Sequence, residues 1–149
     1  MHIKLDLGEH LRFIEKYSVL GVANDDGSYK KNICLPERVK RRIKGYRGLL
    51  DKVHAILIYL LLKEDLSLFS YIQICSDSSK SKLRNNLRKL FKDSVIWRRL
   101  EQEGKIKIAP VKKCYVHYYV QDVRKNKGKR DLEIDYDALN SMLRLFDRK

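Results

Sequence analysis

Residues 68–79, Leu-Phe-Ser-Tyr-Ile-Gln-Ile-Cys-Ser-Asp-Ser-Ser, decide the fold of this chain. The segment lies between two helical patterns and contains aromatic and β-branched residues, among them Phe69, Ile72 and Ile74, which favour a strand. We predict a buried central strand that ends near Asp77. An acid at that end of a strand lies on the edge where α/β sheets bind ligands, so Asp77 is the first candidate catalytic residue. Asp is also a preferred helix cap, and a capping role fits the local sequence equally well.

The composition favours an intracellular protein that binds nucleic acid. The 149 residues include 33 Lys and Arg against 19 Asp and Glu, a net charge of +14, and such a field favours nucleic acid over an anionic membrane. The longest apolar run, 55–62, is far shorter than the ~20 residues that span a bilayer. We expect no secretory signal, and the three scattered cysteines suggest reduced thiols in a cytoplasmic protein without a zinc site or disulfides.

The remaining elements follow from periodicity and turn residues. The predicted elements are, in order, strands at 2–7, 11–23 and 28–35, a helix at 36–63, the central strand, helices at 80–92 and 95–103, strands at 105–111 and 114–121, and a final helix begun by Asp135 or Asp137. Gly45 and Gly48 weaken the first helix midway, so a kink or two shorter helices are both possible. Residues 122–133 are too polar and charged to bury an apolar face and are predicted to be a mobile basic loop. The length suits a single domain over 1–149.

This order, β-β-β-α-β-α-β-β-α, resembles that of the ribonuclease H-like superfamily. Residues 74–78, Ile-Cys-Ser-Asp-Ser, are similar to the family's strand-4 signature Thr-Asp-Ser, in which the Asp is catalytic. Residues 96–100, Ile-Trp-Arg-Arg-Leu, resemble the Trp-x-x-Leu helix that leads into strand 5, and residues 3–8, Ile-Lys-Leu-Asp-Leu-Gly, resemble its strand-1 pattern. The resemblance implies an α/β (α+β) three-layer fold with a mixed five-stranded sheet, extended here by one strand.

The resemblance also implies a nuclease that depends on Mg²⁺ or Mn²⁺ and cuts RNA or an RNA–DNA hybrid. Two-metal hydrolysis needs carboxylates that converge on ions about 3.5–4 Å apart, and Mg²⁺ prefers oxygen ligands. By resemblance, Asp6 and Asp77 lie on adjacent strands and share a metal, and Asp135 or Asp137 supplies a further carboxylate from the last helix. The family's acid in the first helix is normally Glu. Asp51, the only acid within residues 38–63, takes that place here.

Three groups of basic residues are predicted to hold the phosphate backbone without reading its sequence. They are Arg38, Lys40, Arg41 and Arg42 in the first helix, Lys80, Lys82, Arg84, Arg88 and Lys89 in the helix after the central strand, and Arg124, Lys125, Lys127, Lys129 and Arg130 in the basic loop. A run of charge is often only a solvated surface, but the net charge of the chain favours phosphate contact.

Histidines and tyrosines have ordinary structural explanations. His54 falls in an apolar helix and is more typical of a packed core histidine than of a ligand. His117 lies in a tyrosine-rich predicted strand, where Tyr115, Tyr118 and Tyr119 could stack on bases. Core packing is the favoured interpretation of these tyrosines.

Two alternatives stay open. A non-catalytic winged-helix protein that binds DNA or RNA would have helices at 49–63, 65–75 and 79–91 and a two-stranded wing within 104–120. Residues 68–76 discriminate between the folds, because they form a strand in the nuclease and a helix in the winged helix. An assembly subunit that binds an acidic protein would explain the charge alone.

Overall fold

One mixed sheet forms the centre of the molecule. The computed structural model describes residues 1–8, 10–76, 79–111 and 113–147. Its strands are β1 (His2–Leu7), β2 (Ser18–Ala23), β3 (Lys30–Leu35), β4 (Tyr71–Ile74), β5 (Ile106–Ile108) and β6 (Leu132–Glu133). They lie in the order β5-β4-β1-β2-β3-β6. Strand β2 is antiparallel to both of its neighbours, and the other neighbouring pairs are parallel. The carboxyl ends of β1 and β4 therefore share one edge of the sheet.

Helices cover both faces of this sheet. They are α1 (Glu37–Arg42), α2 (Leu50–Leu62), α3 (Lys80–Leu90), α4 (Val95–Gln102), α5 (Tyr115–Lys125) and α6 (Tyr136–Arg144). The predicted helix at 36–63 is divided into α1 and α2, since Gly45 adopts a positive φ of 70° that favours glycine. A turn of 3₁₀ helix, Tyr46–Leu49, joins the two.

The alternation of β1 assigns its side chains to the two faces of the sheet. Ile3 and Leu5 enter the main core, which the sheet shares with α2, α3 and α6. Lys4 and Asp6 point to the opposite face, because successive strand residues alternate. Helix α5 covers that second face, where its residues Val116, Val120 and Val123 are buried. The result is a three-layer α/β/α arrangement.

Two glycines allow α5 to approach the sheet closely. A Cβ atom on Gly21 would lie 2.4 Å from Val120, and one on Gly8 would lie 2.3 Å from the same side chain. Gly21 is also the register partner of Asp6 on β2. The glycines thus bring the middle of α5 directly over Asp6.

The predicted strand at 114–121 is wrong, because residues 115–125 form α5. The aromatic and β-branched residues there suggested a strand. The spacing of Val116, Val120 and Val123 instead gives a helix one apolar face. Burial of that stripe against the sheet outweighs local strand propensity, which depends strongly on context.

The predicted loop at 122–133 is also wrong in its local structure. Residues 122–125 end α5, 127–129 form a 3₁₀ turn and 132–133 form β6. Asn32, fully buried on β3, fixes this segment in place. Its amide donates to the Lys129 carbonyl at 3.0 Å and to Asp131 at 3.1 Å, and its oxygen accepts from the Asp131 N–H at 3.1 Å. The hydrogen bonds of this one buried amide therefore order a segment that, from its high charge alone, would be expected to lie in solvent.

A strand within residues 68–79 is confirmed, as β4 spans Tyr71–Ile74, but it lies between β5 and β1, second from one edge of the sheet, rather than at its centre. The winged-helix fold is wrong, since it required a helix over these residues and a strand where α5 lies. The described helices include none with the length and apolar character needed to cross a membrane.

Candidate active site at the end of strand β1

Asp6 and His117 form a hydrogen-bonded pair between the sheet and α5. Asp6 Oδ2 lies 3.2 Å from His117 Nδ1, and Asp6 Oδ1 accepts the backbone N–H of Leu7 at 3.0 Å. The Asp6 side chain is 13% exposed and that of His117 is 30% exposed. The pair is therefore sheltered but still reachable from solvent.

A third residue, Gln121, contacts the other nitrogen of the imidazole. Gln121, one helical turn after His117, places its Nε2 3.2 Å from His117 Nε2. With the Gln121 amide nitrogen as donor, His117 Nε2 is the acceptor in this contact, and Nδ1 faces Asp6. The imidazole is thus held between a carboxylate and an amide.

The pair opens into a cavity of about 450 Å³, named here the Asp6 cavity. Its lining combines carboxylate, imidazole, thiol and guanidinium groups with apolar walls. The lining residues are Asp6, Leu7, His10, Leu11, Arg12, Leu50, His54, Cys75, Val111 and His117. The cavity lies where β1 and β4 both end, the edge at which open α/β sheets bind ligands.

The described lining does not by itself fit a magnesium site. It contains one carboxylate, Asp6, together with imidazoles and a thiol, whereas Mg²⁺ takes oxygen ligands in near-ideal octahedral geometry. Within residues 1–8, 10–76, 79–111 and 113–147, no group of three or more His, Cys, Asp or Glu side chains is positioned to hold a metal ion.

Two of the other predicted carboxylates, Asp51 and Asp135, do not line this cavity. Asp77 lies outside the described residues. Asp51 occupies the first turn of α2 and has a buried Oδ1 without a hydrogen-bond partner in the described chain, but it is not among the residues that line the cavity. Asp135 caps α6 by accepting the Ala138 N–H at 2.8 Å. The helix that reaches Asp6 is α5, and it presents His117 rather than an acid.

Nine of the fourteen predicted phosphate-binding residues lie in two separate regions. Arg38, Arg124, Lys127 and Arg130 line one cavity of about 930 Å³ beside β3 and β6. There Arg38 pairs with Glu133, and the Arg130 guanidinium stacks 4.0 Å from the centre of the Tyr17 ring.

The second region is α3, on the other face of the sheet. Lys80, Lys82 and Lys89 are exposed on this helix. Arg88 pairs with Glu101 at 2.7 Å, and Arg84 donates to the carbonyl of Ile106 at 3.4 Å. The exposed cations of α3 are thus its three lysines and Arg88.

Lys40 is not a surface residue, so its predicted contact with phosphate is wrong. Its side chain is 0% exposed, and its ammonium donates to Phe13 O at 2.9 Å, Lys16 O at 2.8 Å and Ser18 Oγ at 2.7 Å. Burial along the apolar face of α1 draws the lysine inward, where backbone carbonyls satisfy its charge. The neighbouring Arg41 and Arg42 are exposed as expected.

Sequence reasoning missed the role of the histidines in this cavity. His54 is buried to 4% exposure, as expected of a core residue, yet it also lines the cavity. His10 lies in an irregular segment after β1, and the residues around it gave no indication that it belongs to a site. His117 could have been found from the helical spacing of His117 and Gln121, which places both on one flank of α5.

Comparisons of the chain with protein-family models, curated proteins and solved structures find no match.

Proposed function

We propose that this chain is a nucleic-acid-binding protein of ribonuclease H-like fold that hydrolyses phosphodiester bonds in RNA, alone or in an RNA–DNA hybrid. The observation that carries the proposal is the oriented Asp6–His117 pair, with its 3.2 Å contact, in a cavity at the carboxyl end of strand β1. Parallel pairing of β1 with β4 supports it, because the family resemblance expects the catalytic strands 1 and 4 to be adjacent. The net charge of +14 supports a polyanionic substrate.

The residues of the site have distinct roles in this proposal. Asp6 holds the proton of His117 on Nδ1, so Nε2 is the position that accepts a proton from an attacking water once the Gln121 amide turns aside. Arg12 lines the same cavity and supplies positive charge near the scissile phosphate.

The proposal includes Mg²⁺ or Mn²⁺ as cofactor. Asp6 would hold the ion together with Asp77, the acid that follows β4 in the sequence. A bound divalent ion supplies activation of water and stabilisation of the leaving oxygen.

An intracellular location accompanies this function. No disulfide links the three cysteines, all of which belong to the described residues. This agrees with a reducing compartment.

The test is cleavage of end-labelled single-stranded RNA, double-stranded RNA and RNA–DNA hybrid with millimolar Mg²⁺ or Mn²⁺. We expect Asp6→Asn to lower the rate by about a hundred-fold or more, the scale of a lost acid–base group. Asp25→Asn is the matched control, since this acid is 77% exposed in the β2–β3 turn and pairs with Lys4. Equal rates for the wild type and Asp6→Asn would refute the catalytic role of the cavity.

A second candidate is a non-catalytic nucleic-acid-binding protein of the same fold. It is favoured by the engagement of both Asp6 oxygens in hydrogen bonds, to Leu7 and His117. Salt-dependent RNA binding without cleavage under any of the metal conditions would support this candidate over the nuclease.

A further inference from the structure

Helix α5 presents a different surface on each of its sides. Val116, Val120 and Val123 are buried against the sheet, and His117 extends from one flank toward Asp6. The other flank borders a second cavity of about 520 Å³, the tyrosine cavity, lined by Tyr115, Tyr118 and Tyr119 with Lys30, Asp122 and Lys129 among its charged residues. The candidate active site and the tyrosine cavity are therefore separated only by the width of one helix.

Two tyrosine rings of this cavity are held in place. Tyr115 and Tyr119 are close to parallel, with an interplanar angle of 23° and centroids 6.3 Å apart. Tyr119 accepts a 2.8 Å hydrogen bond from the buried amide of Asn32. Burial raises the pKa of Tyr119 to about 12, so the hydroxyl stays protonated at neutral pH. The aromatic wall is thus fixed before any ligand arrives.

The cavity carries two lysines and two acids, and one of the lysines, Lys30, lies beside the tyrosine rings. Asp122 is paired with Lys129, and Asp131 accepts from the backbone and side-chain nitrogens of Asn32 at 3.1 Å. Lys30 is exposed; its ammonium donates to the Tyr115 hydroxyl at 3.2 Å and lies 5.9 and 5.8 Å from the Tyr115 and Tyr119 ring centres. The acids are already bound by neighbours, whereas the Lys30 charge faces solvent beside the rings.

Tyr118 connects this cavity with the candidate active site. The residue is 58% exposed. The ring lines the tyrosine cavity and meets the His117 ring edge-on, with centroids 5.3 Å apart and an interplanar angle of 79°. An exposed ring beside a fixed aromatic wall and a lysine is the combination that binds single-stranded nucleic acid, in which bases stack on aromatic side chains.

We propose that Tyr118 and the tyrosine cavity form a base-stacking subsite for single-stranded nucleic acid, whose backbone crosses α5 to reach Asp6. The inference rests on the nucleic-acid-binding part of the proposed function. The helix is about 10–12 Å across with its side chains, so a few nucleotides span it. A duplex offers no such contact, because its bases are already stacked on one another and their faces are covered. The subsite thus selects single strands or single-stranded ends.

Binding, measured by fluorescence anisotropy with a labelled adenine-rich RNA dodecamer and its duplex, tests the inference. All proteins carry Asp6→Asn, which slows cleavage of the probe during the measurement. We expect Tyr118→Ala to weaken single-strand binding by about five- to 100-fold, the range for loss of one stacked base. Duplex binding should change by less than about two-fold. Tyr118→Phe keeps the ring and should bind as the parent does, and Val95→Ala, at another exposed apolar position on α4, is the matched control.

Each outcome decides the proposal separately from the nuclease activity. Selective loss of single-strand binding in Tyr118→Ala, with an unchanged melting temperature, supports the subsite even if the wild type cleaves no RNA. An unchanged single-strand affinity, equal losses for single strand and duplex, or an absence of single-strand binding in the parent would each overturn it, even if the wild type is an active nuclease.

Discussion

Replacing Lys40 by methionine tests whether its buried ammonium stabilises the fold. The lysine joins α1 to the segment before β2 through three acceptors at 2.7–2.9 Å, two of them backbone carbonyls. Methionine keeps the apolar stem, so the substitution removes hydrogen bonds rather than volume. Each buried acceptor left without its donor costs about 1 kcal/mol or more, which gives a loss near 3 kcal/mol for the three.

Thermal denaturation followed by circular dichroism measures this effect. For a chain of this size, 1 kcal/mol corresponds to about 2–4 °C, so Lys40→Met should lower the melting temperature by about 6–12 °C. Arg41→Met, at the exposed neighbouring position, is the control and should stay within about 0.5 kcal/mol of the wild type. A fall of less than about 2 °C for Lys40→Met would refute the reasoning, since it would mean that the cost of removing the ammonium from water cancels its three hydrogen bonds.

Two further predictions concern the interface of α5 with the sheet and the buried thiol beneath it. Gly21→Ala should destabilise the fold by about 2 kcal/mol through overpacking against Val120, and Val120→Ala should recover part of that loss in the double variant. Urea denaturation of the single and double variants measures the coupling between the two positions. Strictly additive losses of stability would contradict the close contact. Burial raises the pKa of the Cys34 thiol from 9.0 to about 11. Between these two pH values the thiol keeps its proton in the folded state and loses it in the unfolded state. The contribution of the thiol to stability is therefore complete below pH 9 and is lost as the pH rises toward 11. Cys34→Ala should therefore show a shallower decline of the urea midpoint between pH 9 and 11 than the wild type, and parallel declines would contradict the assignment.

Much of the sheet could be predicted from local pattern. Alternation in β1 and the aliphatic residues of β4 each indicate their strands directly, because a strand buries every second residue on one face. The division of the first helix at Gly45 was also visible, since only glycine adopts a positive φ at little cost.

The candidate site was predictable only in part. Asp6 lies on the first strand, β1, as expected, but its partner is His117, which belongs to a helix where local propensity predicted a strand. Neither Asp51 nor Asp135 lines the Asp6 cavity, and Asp77 lies outside the described residues. Convergence of side chains depends on how helices pack over the sheet, and that packing is decided by contacts between residues far apart in the chain.

Sequence by itself determined the alternation of strands and helices, the large positive charge and the position of an acid on the first strand, because each depends on neighbouring residues or on composition. Tertiary structure alone decided that Lys40 turns inward, that Asn32 folds the basic segment beside β3, and that His117 meets Asp6. Each of these depends on a contact between distant residues, with a buried polar group finding its partner only after the layers have assembled.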